Sequence, residues 1–239
     1  MRFEDSKHRQ TKSVWRAEWE RILVPWFCKD KLTLDCGCGP AYYRSLFGEN
    51  YIGLDIQKCF PEEGNYIRAS SANLPFQDAS FDFVLACALF EHVENPAETL
   101  LEICRILRMG GSVLLGTPSR YGAKYETLKT FRGYDIEDLE HMVYGQKLLI
   151  KNRFKIGGTF AIVFAEIESF LRGGLKTAKN ELPSFEGEPY YNLLAHSGLG
   201  KAVLKIRGFL MLLTVAIDTR IPHHNLYQGA CIFAAKPKT

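Results

Sequence analysis

The sequence predicts an α/β fold: a doubly wound, mostly parallel sheet of seven strands, with helices on both faces and a helical insertion before the last strand. Three observations predict it. Apolar runs alternate with helical patterns from residue 32 to residue 160, the arrangement that favours a parallel sheet covered on both sides. The first run, Leu32-Thr33-Leu34-Asp35-Cys36, ends in an acid and enters a Gly37-Cys38-Gly39 turn. The second, Tyr51-Ile52-Gly53-Leu54-Asp55, also ends in an acid.

The elements follow in order. Residues 6–27 carry Trp15, Trp19, Ile22, Leu23 and Trp26 at three- and four-residue spacings, a helical stripe. Strand one is 32–36, with a short helix after Pro40, and strand two is 51–55. A weak third strand falls at 65–68 and a fourth at 81–86. Residues 97–107 form a helix with Leu100, Leu101, Ile103, Cys104 and Leu107 on its apolar side. Gly110-Gly111 reads as its left-handed C-terminal cap, and 112–117 as strand five. Asp135 starts another helix, capping free backbone N–H groups while acids in the first turn suit the dipole. Strands six and seven are expected at 154–160 and 229–235. Between them, 161–171 and 199–219 read as helices, joined by a polar, Gly- and Pro-rich linker too long for an ordinary connection. The expected organisation is one domain over 1–239, with a helical segment at 1–30 and a cap subdomain at 161–228.

Composition narrows the classes of function. A chain of 239 residues, 46% hydrophobic and 24% charged, can bury a full core. A net charge of +3 argues against a strongly basic surface, so no nucleic-acid partner is expected. Seven cysteines follow no disulfide framework and, with the histidines, no metal-ligand spacing. Reduced thiols in a cytoplasmic protein without a metal are expected. The longest hydrophobic run, 209–217, is too short to span a membrane, which takes about 20 residues.

The glycine turn allows a tight bend and close approach of a ligand to the main chain. Asp55, at the end of the next strand, can accept hydrogen bonds from both hydroxyls of a ribose. A dinucleotide fingerprint would place a third glycine where Tyr42 stands. A bulky side chain there argues against nicotinamide cofactors.

Later segments, in order, carry a resemblance. Ala69-Ser70-Ser71-Ala72-Asn73-Leu74-Pro75-Phe76 follows strand three, and Phe90-Glu91-His92-Val93 follows strand four. Leu101-Glu102-Ile103-Cys104-Arg105-Ile106-Leu107-Arg108-Met109-Gly110-Gly111 leads into strand five. With the two acid-ended strands, these segments resemble the class I S-adenosylmethionine-dependent methyltransferases, a Rossmann-like family, and especially its small-molecule group. The resemblance spans about residues 30–160. It implies S-adenosylmethionine as cofactor and S-adenosylhomocysteine as product. It implies that Asp35 and the backbone of Gly37, Cys38 and Gly39 border the methionine part, and that Asp55 holds the ribose. Ile56 would pack on the adenine, Ser70 and Ser71 would lie at its edge, and the main chain at Cys87 would meet the amino-acid moiety. The family commonly has Asp where Ser70 stands, and Pro where Met109 stands.

The acceptor is expected to be a small molecule of the saccharide or lipid-linked class. Glu91, His92, His141, His223 and His224 are candidate bases, and His92, after strand four, is the one expected to be catalytic. Its alternative role is structural, at the start of a helix. Tyr121, Tyr125, Tyr134 and Tyr144 are candidates to line the acceptor site. Lys201, Lys205 and Arg207 precede the apolar run in 199–219, so that segment either touches a membrane surface or packs on the domain. The rival to an enzyme is a scaffold or sensor that binds the cofactor without catalysis.

Overall fold

The structure, a computed structural model, describes residues 30–57, 65–125, 132–158 and 229–238, with isolated positions elsewhere. The chain divides into two compact units: Ile22–Ile156 with Gln228–Thr239, and Met1–Arg21 with Gly157–Tyr227. The expected helices at 6–27, 161–171 and 199–219 lie outside the described residues, apart from isolated helical positions such as Ile162 and Phe209. No helix among the described residues is long and apolar enough to cross a membrane.

The first unit contains a seven-stranded sheet in the order β3-β2-β1-β4-β5-β7-β6. Its strands are β1 (Thr33–Cys36), β2 (Tyr51–Asp55), β3 (Tyr66–Arg68), β4 (Phe81–Cys87), β5 (Leu107–Pro118), β6 (Leu149–Ile156) and β7 (Gly229–Ala235). The first five run parallel, and β7 lies antiparallel between β5 and β6. The strand order reverses between β1 and β4. Leaving β1 toward β2 and β4 toward β5, the chain turns to opposite sides, so loops at the carboxyl ends of β1 and β4 flank a crevice where such sheets bind ligands.

The central strands are buried along most of their length because both faces are covered. Leu34, Val84, Leu85, Val113, Leu114 and Ile232 are completely buried. Helix α1 (Arg44–Phe47) is only one turn long and is held by its side chains rather than by propensity. Phe47 is fully buried, with its ring 5.9 Å from Phe83 of β4 and 6.1 Å from Tyr51 of β2. Helix α2 (Pro96–Ile106) starts with proline at a position where the missing N–H costs nothing, and buries Thr99, Leu100, Ile103 and Ile106. Leu101, expected on that face, is 56% exposed. Helix α3 (Ile136–Gly145) has the predicted cap at Asp135, whose N–H donates to Asp138 Oδ2 at 2.9 Å in a capping box.

Two expected boundaries are corrected. Helix α2 ends at Ile106, and Gly110-Gly111 lies inside β5 rather than at a helix cap. Between the pairs Phe81↔Leu107 and Phe83↔Ser112 the ladder slips, and the two glycines take up the extra chain. Gly110 has φ +78°, and a Cβ on Gly111 would sit 2.9 Å from the Arg108 carbonyl oxygen. Strand six is Leu149–Ile156, not 154–160. Its outward positions carry Lys151 and Arg153, and Arg153 pairs with Glu140 of α3, so the strand shows charge where an apolar run was sought.

Candidate cofactor site

The glycine turn is built from backbone donors aimed at the end of β2. The N–H groups of Gly37 and Cys38 both donate to the Leu54 carbonyl, at 2.7 and 3.0 Å. The Gly39 N–H donates to Asp55 Oδ2 at 2.9 Å, and the Gln57 N–H to Asp55 Oδ1, also at 2.9 Å. Asp55 therefore ties the turn after β1 to the loop after β2. Each carboxylate oxygen has two lone pairs, so one backbone donor apiece leaves room for a further hydrogen bond to each. Gly37 has φ +79°, and a Cβ there would lie 2.9 Å from Leu89 Cδ1. Only glycine allows both that backbone and the close approach of the loop after β4.

Asp35 is 2% exposed and accepts a hydrogen bond of 2.6 Å from the Tyr51 hydroxyl. Burial pushes its carboxyl up to about 7; the Tyr51 bond opposes the shift and the charge of Asp55 adds to it. The Tyr51 hydroxyl is raised too, by burial first and then by Asp35. Ile56 follows Asp55 with its side chain 65% exposed, while Arg68 Nε donates to its carbonyl at 3.0 Å. A large apolar side chain held beside a carboxylate at a strand end is suited to a flat, apolar ring.

Ser70 and Ser71 lie in the loop between β3 and β4, whose first N–H, Ala69, donates to the Asp55 carbonyl at 3.1 Å. Ser70 is exposed, and its Oγ accepts from the Ala72 N–H at 3.2 Å. The Ser71 hydroxyl is buried and exchanges a 3.2 Å hydrogen bond with Thr99 Oγ1 of α2, so it faces the helix. Cys87 ends β4 with its thiol 3.8 Å from the Tyr43 hydroxyl, and burial raises that thiol well above its ordinary value. Cys38 is buried in the turn itself. Tyr42, in the position of a third fingerprint glycine, is 48% exposed.

A second polar group lies at the ends of β4 and β5. Glu91 is completely buried in the 3-10 turn Phe90–His92. The Thr117 hydroxyl donates to Glu91 Oε2 at 3.2 Å, and His92 Nε2 lies 3.9 Å from Glu91 Oε1. Tyr134 is buried, its N–H donates to the Pro118 carbonyl at 2.9 Å, and burial raises its phenol. His141 and Tyr144 are exposed on α3, and Tyr121 is half-buried. Of Tyr125 only the backbone is described, and His223 and His224 lie outside the described residues. Sequence reasoning missed Thr117 and the bond from Tyr51 to Asp35. Both join residues whose spacing carries no motif.

Comparisons with known proteins bear on the domain and its fold. Residues 34–115 match the family model of a methyltransferase domain. An uncharacterized protein of Methanocaldococcus jannaschii is 36% identical over 149 residues, 60% of this chain and 60% of that protein. An uncharacterized methyltransferase of Mycolicibacterium gilvum is 34% identical over 94 residues, 34% of this chain and 37% of that protein. The match thus spans less than two thirds of either relative. A SAM-dependent methyltransferase from Archaeoglobus fulgidus has the same fold, with a TM-score of 0.57 at 17% identity over 96% of this chain and 97% of that one. The chain is thus similar over residues 34–115 to a methyltransferase domain, and it shares the fold of a SAM-dependent methyltransferase.

Proposed function

We propose that the chain transfers a methyl group from S-adenosylmethionine to a small-molecule acceptor, of the saccharide or lipid-linked class. One observation carries the donor half of this reading. Asp55 has both carboxylate oxygens anchored by backbone N–H groups, one from the glycine turn, with the exposed Ile56 beside it. That set fits a ribose and its base. When bound, the cofactor supplies a methyl group already activated by a sulfonium centre. The protein's work is then alignment and exclusion of water. Gly37, Cys38 and Gly39 present main chain beside the buried Asp35, whose negative form suits a cationic ligand. Ser70 offers the adenine edge a neutral acceptor.

On the acceptor side, Glu91, Thr117 and His92 meet at the ends of β4 and β5. In this reading His92 takes the proton that a hydroxyl acceptor must lose. Peripheral contact of 199–219 with a membrane belongs to the lipid-linked version alone.

The experiment is incubation of the full chain with a metabolite extract and methyl-labelled S-adenosylmethionine, followed by mass spectrometry. The expected result is one labelled small molecule together with S-adenosylhomocysteine. Tight S-adenosylhomocysteine binding with no labelled product would assign the chain to the scaffold or sensor class. Absence of binding would overturn the cofactor assignment.

A further inference from the structure

The loop that carries Ser70 and Ser71 is fastened to α2 far more densely than a connection of its length requires. Thr99, Glu102 and Arg105 stand at three-residue intervals along one side of α2. The Thr99 and Ser71 hydroxyls share a 3.2 Å hydrogen bond. Glu102 Oε2 accepts the Leu74 N–H at 2.8 Å. Arg105 then uses all its donors. Nε–H and one Nη2–H go to the Glu102 carboxylate, both at 2.8 Å. The other Nη2–H reaches the Leu74 carbonyl at 2.9 Å. Nη1 donates to the Phe76 carbonyl at 2.7 Å and to Asp78 Oδ1 at 2.8 Å. Hydrogen bonding from Arg105, with help from the Leu74 N–H, holds the Glu102 carboxyl below its usual range.

Only a planar guanidinium can meet two carbonyls and two carboxylates in one fixed fork; a lysine would reach them one at a time from a point. The Ala69 N–H to the Asp55 carbonyl ties only the start of the loop to β2, and the loop's own turns, Asn73 N–H to the Ser70 carbonyl and Phe76 N–H to the Leu74 carbonyl, do not fix the course of the rest. The helix does that. We propose that Glu102 and Arg105 are positioning residues for base recognition: they hold the Ser70–Ser71 segment at the end of β2, and so set the preference for adenine over other bases. This rests on the cofactor reading given above.

A residue that merely stabilised the fold would weaken every nucleoside ligand alike. The test therefore compares affinities for S-adenosylhomocysteine and S-inosylhomocysteine, which differ at the six-position of the base. They are measured by calorimetry on the full chain, on Arg105→Lys, on Glu102→Gln and on the control Arg120→Lys, whose ion pairs with Asp135 and Asp138 lie elsewhere. The native chain is expected to prefer the adenosyl ligand. Arg105→Lys should lose about ten-fold in adenosyl affinity, the scale of a charge-assisted contact, with little change for the inosyl ligand. Glu102→Gln should shift the preference in the same direction, and serves alone if Arg105→Lys does not fold. Equal losses for both ligands, or no loss, would overturn the proposal. A native chain that bound neither ligand would overturn the cofactor reading itself, and the positioning role with it.

Discussion

The carboxyl ends of β1 and β2 and those of β4 and β5 solve different problems with different chemistry. At β1 and β2 most of the donors are main chain: Gly39 and Gln57 to the Asp55 carboxylate, Gly37 and Cys38 to the Leu54 carbonyl, beside one side-chain bond from Tyr51 to Asp35. At β4 and β5 the main-chain bonds are joined by a buried side-chain cluster, Thr117 to Glu91 with His92 alongside. A backbone cradle is indifferent to most substitutions and suits a ligand shared by a whole family. A side-chain cluster can be rewritten residue by residue and suits a ligand that differs between members.

Three measurements sharpen or break that contrast. The largest effect belongs to Asp35. Its carboxyl titrates near 3.8 when unperturbed and at about 7 in the folded chain. Between those values the folded chain holds a proton that the unfolded chain has released, so unfolding free energy falls as pH rises through that window and levels off above it. A shift of this size corresponds to on the order of 4 kcal/mol. Urea unfolding of the native chain and Asp35→Asn across that range should diverge as pH rises, the variant losing less stability. Parallel curves would show that Asp35 is solvated.

Next comes Asp55→Ala, which removes the anchor of the turn and the expected ribose acceptor. S-adenosylhomocysteine affinity should drop by about 1.5–3 kcal/mol, the range for hydrogen bonds to a charged group. Unchanged affinity in calorimetry would mean that the ligand sits elsewhere. The smallest effect is expected from Thr117→Val, which deletes the hydroxyl donated to Glu91. Thermal or urea unfolding should register a loss of about 1–2 kcal/mol. S-adenosylhomocysteine affinity should stay within about two-fold, since a change of 0.4 kcal/mol in binding is already a factor of two. A large loss of affinity would erase the distinction between the two regions.

The same contrast governs what could be read from the sequence. The tight turn at Gly37 and Gly39 and its place beside Asp55 were legible because they follow from local backbone demands and from two strands adjacent in the chain. The strand and helix order was legible because the buried strands are mostly apolar and α2 and α3 carry helix starts at Pro96 and Asp135. Gly110-Gly111 misled, since a glycine pair after a helix serves equally as a cap or as slack in a strand; only the pairing of β5 with β4 distinguishes them. Strand β6 was displaced because long charged side chains, with Arg153 tied to Glu140, cover the face that apolar residues would otherwise fill. The contacts of Glu102 and Arg105 with the loop before β4 leave a three-residue spacing on α2, which looks like an ordinary surface ion pair until the loop is seen against it.

Placing β7 between β5 and β6 has a consequence for synthesis. β5 and β6 leave the ribosome in sequence, yet neither can pair with the other; each must wait for Gly229–Ala235. Throughout the making of 157–228, two strand edges with unpaired main-chain groups stand open, the state in which nascent chains associate wrongly. Lys151 and Arg153 put two exposed positive charges on β6, the kind of side chain that discourages one open edge from adding to another.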